Sequence, residues 1–136
     1  MRDKAVFDSS VIAAIFFKEE ASPRALKIAA EYDPITLDLA VAEVGNVAWK
    51  RVSIFRDEKE TALDALRDFR EFIGTTSTIL NSSDLLVEAF EIAVTDEISF
   101  YDSLFLAAAE RERLPLLTLD KRLHDRVKEK RDVRLV

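Results

Sequence analysis

Lys4-Ala-Val-Phe-Asp-Ser-Ser-Val-Ile-Ala-Ala-Ile-Phe-Phe17 is the stretch that decides the fold. Lys4 to Phe7 has the length and apolar character of a short buried strand. It stops at Asp8-Ser9-Ser10, residues whose short side chains accept from the first free N–H groups of a helix. Val11 to Phe17 then reads as a short helix. A strand that turns directly into a helix leaves Asp8 at the strand's C-terminal end, where open parallel sheets bind their ligands.

The alternation continues along the chain. Ser22-Pro23 opens a helix through Ala30, with the proline where a first turn tolerates it. Pro34 precedes a second strand, Ile35-Thr36-Leu37, and Leu39 to Val52 is a long helix that is apolar on most sides. Asp57 to Phe72 is amphipathic, with Leu63, Leu66, Phe69 and Ile73 near helical spacing. Thr78-Ile-Leu80 is a third strand, and Ser82-Ser83-Asp84 caps a helix through Val94. Asp102 to Arg113 is a further helix, and Pro115 introduces a fourth strand, Leu116-Leu117-Thr118. Lys121 to Lys130 is a basic helix, followed by an edge strand at Val133-Arg-Leu135. Three- or four-residue apolar strands between helices indicate an α/β fold, a short parallel sheet of four or five strands covered on both faces.

The 136 residues are 49% hydrophobic, enough for one domain over 1–136 with its own core. There is no cysteine, which excludes disulfide scaffolds, thiolate zinc sites and cysteine nucleophiles. Glycine occurs only at Gly45 and Gly74, so glycine-rich phosphate loops and dinucleotide fingerprints are excluded. His124 is the only histidine, which rules out RNA cleavage by paired imidazoles, and its charged helix places it at the surface. No stretch resembles a secretory leader or reaches the length of a membrane span, so a soluble, cytoplasmic protein is expected. The net charge of −6 argues against binding nucleic acid by bulk charge alone. The last stretch, Lys121 to Val136, runs the other way, with seven basic and three acidic residues.

Four acids stand out. Asp8 and Asp120 each follow a strand, and would meet in one crevice if those strands are neighbours. Each also has a plain role as a helix N-cap. Glu43 lies in Leu39-Ala-Val-Ala-Glu-Val-Gly-Asn-Val-Ala-Trp49, where its helical neighbours Leu39, Ala40 and Val47 are apolar. A carboxylate on such a surface needs a proton, a cation or a metal, unless it pairs with Lys50 or Arg51. Asp102 opens a helix and shares a face with Phe105, Leu106 and Ala109; a first-turn acid gains from the helix dipole. Two unit charges about 4 Å apart repel by about 4 kcal/mol at an effective dielectric near 20, so converging acids require a cation. Oxygen-only ligands select hard cations such as Mg²⁺ or Mn²⁺.

Four motifs in order carry a resemblance. They are Val6-Phe7-Asp8-Ser9-Ser10-Val11-Ile12, Ala42-Glu43-Val44-Gly45-Asn46-Val47, Tyr101-Asp102-Ser103-Leu104 with its alanine-rich continuation to Ala109, and Leu117-Thr118-Leu119-Asp120-Lys121-Arg122-Leu123. Their acids are spaced by 35, 59 and 18 positions. Over almost the whole chain this resembles the PIN-domain family, and within it the VapC-type toxins of prokaryotic toxin–antitoxin pairs. The resemblance implies a Rossmann-like three-layer sandwich and metal-dependent endonucleolytic cleavage of RNA leaving a 5′-phosphate. It implies a Mg²⁺ or Mn²⁺ site made by Asp8, Glu43, Asp102 and Asp120, as both metal ligands and catalytic residues. Ser10 and Thr118 match the family's hydroxyl positions. Asp38 departs from the pattern, standing where a small polar residue is more usual, as a cap or an added rim charge.

An RNA substrate and a cognate antitoxin are the partners this implies. A homodimer is expected as well, because the apolar segments Ile12–Phe17 and Leu39–Trp49 exceed what a small sheet covers. Trp49 reads as core or dimer contact. Arg51, Arg56, Lys121 and Arg122 are candidates for phosphate contacts, or else a solvated basic face. The alternatives are a non-catalytic binding module on the same scaffold and an aspartate-phosphorylated α/β protein. The latter requires an acid at the position of Ser10, or a lysine after a late strand, where only Lys121 is near.

Overall fold

The computed structural model describes residues 2–136. The chain runs β1 (Asp3–Phe7), α1 (Ser9–Phe16), α2 (Ser22–Glu31), β2 (Tyr32–Leu37), α3 (Leu39–Ser53) and α4 (Lys59–Thr75). It continues through β3 (Thr78–Leu80), α5 (Leu86–Asp96), α6 (Phe100–Glu112), β4 (Leu116–Thr118), α7 (Lys121–Val127) and β5 (Val133–Leu135). All strand pairings are parallel, in the order β3-β2-β1-β4-β5. The expected three-layer α/β architecture is the one observed.

That order fixes the layers. From β1 to β3 the chain steps one way across the sheet; the next connection reverses and places β4 on the other side of β1. With right-handed crossovers, the reversal puts α1–α4 on one face and α5–α7 on the other. The packing agrees, since α1 contacts α2, α3 and α4, while α6 contacts α5 and lies across β1, β2 and β4. Phe7, Ile12, Leu37, Leu106, Leu116 and Leu117 are fully buried between the layers. Residues Ser103–Ala109 of α6 are buried without a break, and the small Ala107–Ala109 allow that helix to lie close against its neighbours. The reversal beside β1 is the topological switch point, and the crevice there lies between the C-terminal ends of β1 and β4.

Several element boundaries differ from the sequence reading, each for a local reason. β2 begins at Tyr32 and so includes Pro34. Pro34 pairs with Ala5 of β1, but β3 joins only from Ile35 onward, so the proline sits where β2 is still an edge. Asp57 stays outside α4 because Arg51 holds it by an ion pair of 2.9 Å. The Ser82-Ser83-Asp84 cluster forms a 3-10 turn, Ser82–Leu85, rather than a simple cap. The helix expected from Asp102 starts two residues earlier, with Ser99 as its N-cap. α7 ends at Val127, where Lys130 and Arg131 both bond back to the Val127 carbonyl and turn towards Asp96.

Candidate active site

Asp8 lies at the crevice floor and is 6% exposed. It caps α1, and one carboxylate oxygen accepts from the backbone N–H groups of Ser10 (3.0 Å) and Val11 (3.2 Å). The Ser10 hydroxyl donates to the same oxygen at 2.5 Å, and the Thr118 hydroxyl donates to the other at 2.5 Å. Ser10 Oγ in turn accepts from the Leu119 N–H, and Thr118 Oγ1 from the Asp120 N–H, both at 3.0 Å. The two hydroxyls therefore stitch the end of β4 to the end of β1 through one carboxylate.

The other acids approach from three directions. Asp120, exposed at the rim, caps α7 by accepting from the Leu123 N–H at 3.1 Å. Asp102 is half-buried in the first turn of α6, where its N–H donates to Ser99 Oγ. Glu43 is half-buried on α3, and its Oε1 accepts from the Ser9 hydroxyl at 2.7 Å. Ser9 was not singled out from sequence; its signal was the second hydroxyl of Asp8-Ser9-Ser10. Among the described residues, no three carboxylates are as close together as an enclosed ion requires. Glu43 lines one hollow with Ser9, while Asp102 and Asp120 line another.

Electrostatics join Asp8, Asp102 and Asp120. Burial pushes the Asp8 carboxyl up to about 6; the Ser10, Thr118 and Val11 donors oppose this, and the Asp102 charge adds to it. Asp102 is raised by its own burial and by the Asp120 charge. No Lys, Arg or His forms an ion pair with any of the four acids among the described residues. Lys121, the lysine an aspartate-phosphorylated protein would need, is drawn away by Asp125 at 3.0 Å.

Two hollows open near these acids. One, of about 730 Å³, is lined by Ser99, Asp102, Asp120, Arg122 and Arg126 among others. The second, of about 560 Å³, is lined by Ser9, Ser10, Glu43, Asn46, Lys50 and Tyr101 among others.

Asp38 and two further acids, Asp96 and Glu97, have structural partners. Asp38 accepts from the Leu39 N–H at 2.9 Å and the Ser82 N–H at 3.0 Å, so it caps α3 and ties it to the turn before α5. Asp96 pairs with Arg131 at 2.5 Å and Lys130 at 3.5 Å, and Glu97 pairs with Arg126 at 2.8 Å. His124 is partly covered, with Nδ1 3.3 Å from Asp125. Trp49 is 57% exposed, so it is not part of this chain's core.

The parallel sheet with Asp8 buried at its switch point agrees with the resemblance drawn from the four motifs, and residues 5–130 match the PIN domain family model. The chain belongs to the PIN domain family. It is 34% identical over 127 residues to Ribonuclease VapC3 of Pyrobaculum aerophilum, covering 90% of this chain and 94% of that protein. The fold superposes on the crystal structure of the Pyrobaculum aerophilum protein PAE2754 with a TM-score of 0.70 at 24% identity, over 93% of this chain and 87% of that one. A toxin–antitoxin complex from Klebsiella pneumoniae gives a TM-score of 0.64 at 17% identity, over 96% of both chains.

Proposed function

We propose that this chain is a metal-dependent endoribonuclease, the toxin of a toxin–antitoxin pair, working through Asp8, Glu43, Asp102 and Asp120. The observation that carries the reading is Asp8: a buried acid at the switch point, with acidic neighbours and no cation of the chain paired with it. Burying a carboxylate with no cation beside it is costly even when hydrogen-bonded, and acids perturbed in this way cluster at functional sites. The VapC3 relative supports the choice of RNA.

The donor chemistry, though not yet the spacing of the acids, suits a hard divalent cation. All four side chains offer carboxylate oxygens, none is paired with Lys or Arg among the described residues, and the Asp102 charge acts on Asp8 as the Asp120 charge acts on Asp102. Asp8, Asp102 and Asp120 would hold Mg²⁺ or Mn²⁺, with Glu43 reaching in from α3. Such an ion would stabilise charge on a phosphoryl oxygen and lower the pKa of an attacking water. The chain's own residues do the positioning. Ser10 and Thr118 lock the orientation of Asp8, Ser9 steadies Glu43, and Asp120 stands at the rim where a phosphate backbone arrives.

The test is cleavage. Asp8→Asn should leave the fold intact and abolish Mn²⁺-dependent RNA cleavage; undiminished cleavage by that variant would remove the site from the mechanism.

The partners proposed are an antitoxin and a second copy of the chain. The toxin–antitoxin complex with this fold supports the first. A basic antitoxin side chain could enter the acidic pocket and do part of what the ion does. For the homodimer, the expected contribution of Ile12–Phe17 is withdrawn, because Ile12 and Phe17 are covered within the chain by the packing of α1 on α2, α3 and α4. Its support is α5, whose Leu86, Val87, Phe90 and Val94 are all more than half exposed along one stripe. A monomer at micromolar concentration in light scattering would count against it.

A further inference from the structure

We propose that Lys50 and Arg122 grip the backbone of a single RNA strand on opposite sides of the scissile bond, so that the strand crosses the carboxylates from one hollow to the other. The inference rests on the ribonuclease reading and names how that site holds its substrate.

The choice of Arg122 follows from the pairing of the C-terminal cations. Of the seven basic residues from Lys121 onward, six have a carboxylate partner within 4 Å: Lys121 and Lys128 with Asp125, Arg126 with Glu97, Lys130 and Arg131 with Asp96, Arg134 with Asp132. Arg122 has none among the described residues. It is exposed, stands two residues after Asp120, and lines the hollow that Asp102 and Asp120 also line.

Lys50 stands in the same relation to the second hollow. It lies seven residues after Glu43 on α3, two turns along the same face and about 10 Å further on. Like Arg122 it is exposed and has no carboxylate partner among the described residues, and it lines the hollow that contains Glu43, Ser9 and Tyr101. The next residue, Arg51, is occupied by Asp57 at 2.9 Å and by the Lys18 carbonyl at 2.6 Å. The sequence alone offered Arg51, Arg56, Lys121 and Arg122 as phosphate ligands. The structure removes Arg51 and Lys121, leaves Arg56 exposed but lining neither hollow, and brings in Lys50.

The charge balance explains why such a pair is needed. The chain carries −6 overall, and four acids surround the reaction centre, so phosphate is repelled from most directions. A free cation at each end of the acidic stretch offsets that repulsion along one path, and the strand's direction across the site becomes fixed. The adjacent residues Tyr101 and Asp102 each face a different hollow, so a strand on this path passes directly over the acids.

The experiment uses full-length protein, Mn²⁺ and a fluorescein-labelled, unstructured single-stranded RNA of mixed sequence, with Asp8→Asn as parent so that the RNA stays intact. Binding is read by anisotropy across a salt series. Lys50→Ala and Arg122→Ala should each weaken binding on the order of fivefold and lower the slope of log K against log salt by about 0.7, the double variant by about 1.4. Lys50→Arg and Arg122→Lys should restore most of the slope, since each retains the charge. Lys4→Ala removes an exposed cation at the opposite end of the sheet and should match the parent. In the active background, the two alanine variants should raise KM and leave kcat within about twofold. The grip is wrong if either alanine variant binds with the parent's affinity and slope, or no differently from Lys4→Ala. It is equally wrong if the parent does not bind this RNA. Loss of binding in both variants of a wild type that cuts nothing would sink the nuclease reading and leave the grip standing. Cleavage with an unchanged KM and slope would do the reverse.

Discussion

Asp8 and Asp96 show equally little surface, each 6% exposed, but Asp8 lies deeper, and their carboxyls respond in opposite directions. Asp8, at the switch point, is pushed up to about 6 by burial, and its charged neighbour is another acid. Asp96, at the end of α5, is held below the usual carboxylate range by Arg131 and, less strongly, by Lys130. Burial alone therefore does not say what an acid is for. What surrounds it does: Asp96 is the last residue of a helix, an unfavourable place for an anion, and two cations compensate it. Asp8 is given only neutral donors, which orient it and leave its charge available. One acid fastens the residues after α7 to α5, and the other has no cation of the chain beside it.

The largest effect expected from this contrast is on catalysis. Asp8→Asn should lower Mn²⁺-dependent cleavage by at least about a thousandfold, since several kcal/mol of transition-state stabilisation are at stake. Asp96→Asn should leave cleavage within about twofold at temperatures where it is folded. A gel assay on a cleavable RNA compares them, and equal losses would erase the distinction.

Next is the pH dependence of stability without metal. Asp8 has a folded pKa of about 6 against 3.8 for an ordinary aspartate, so the folded state binds the extra proton. Its contribution to stability is fully present below about pH 4 and is lost as pH rises through 6, a difference of about 3 kcal/mol from a two-unit shift. Asp96 has the opposite sign: its stabilisation is present above the unfolded pKa and disappears as pH falls through its lowered value. Urea unfolding in chelator from pH 4 to pH 7 reads the Asp8 window. A stability that rises across that range, in the wild type and equally in Asp8→Asn, would contradict the account of Asp8.

Third, Asp96→Asn should destabilise the protein by about 2–3 kcal/mol, because Arg131 would lose its buried partner while keeping Glu110. In a domain of this size that is roughly ten degrees in Tm. Thermal unfolding checks it, and an unchanged Tm would mean that the pair is solvated.

The smallest effect is the relief of repulsion at the site. Asp102→Asn preserves shape at a position whose carboxyl is raised by burial and by the Asp120 charge. It should melt above wild type in chelator and gain less from Mn²⁺, since metal stabilises only the state that binds it. A lower Tm in chelator, together with an equal response to Mn²⁺, would make Asp102 a structural residue.

Much of this molecule was legible in the sequence because it is local. Lys4–Phe7 announces a strand by its run of apolar residues, and Asp8-Ser9-Ser10 announces the following helix by its capping chemistry. The alternation of such units implied a parallel sheet before any contact was known. The four acids were found the same way, by their places in local motifs. Boundaries were less legible where a distant partner sets them, as when Arg51 keeps Asp57 out of α4 or β3 arrives one residue after Pro34.

The tertiary structure decided which groups share a neighbourhood. Thr118 donates to Asp8 across 110 positions of sequence, and it can do so only because the chain reverses after β3 and lays β4 against β1. Asp8, Asp38 and Asp96 look alike in sequence, each an aspartate at the end of an element. Only packing gives one of them neutral donors, one a serine turn and one two cations. The cations divide between the two levels: Lys121 meets Asp125 one helical turn along α7, a local pairing, whereas only the fold sets Arg122 at the edge of the acidic pocket. Backbone propensity and apolar periodicity act over a few residues and can be read along the chain, whereas the electrostatic state of a side chain is a sum over neighbours that only the folded topology assembles.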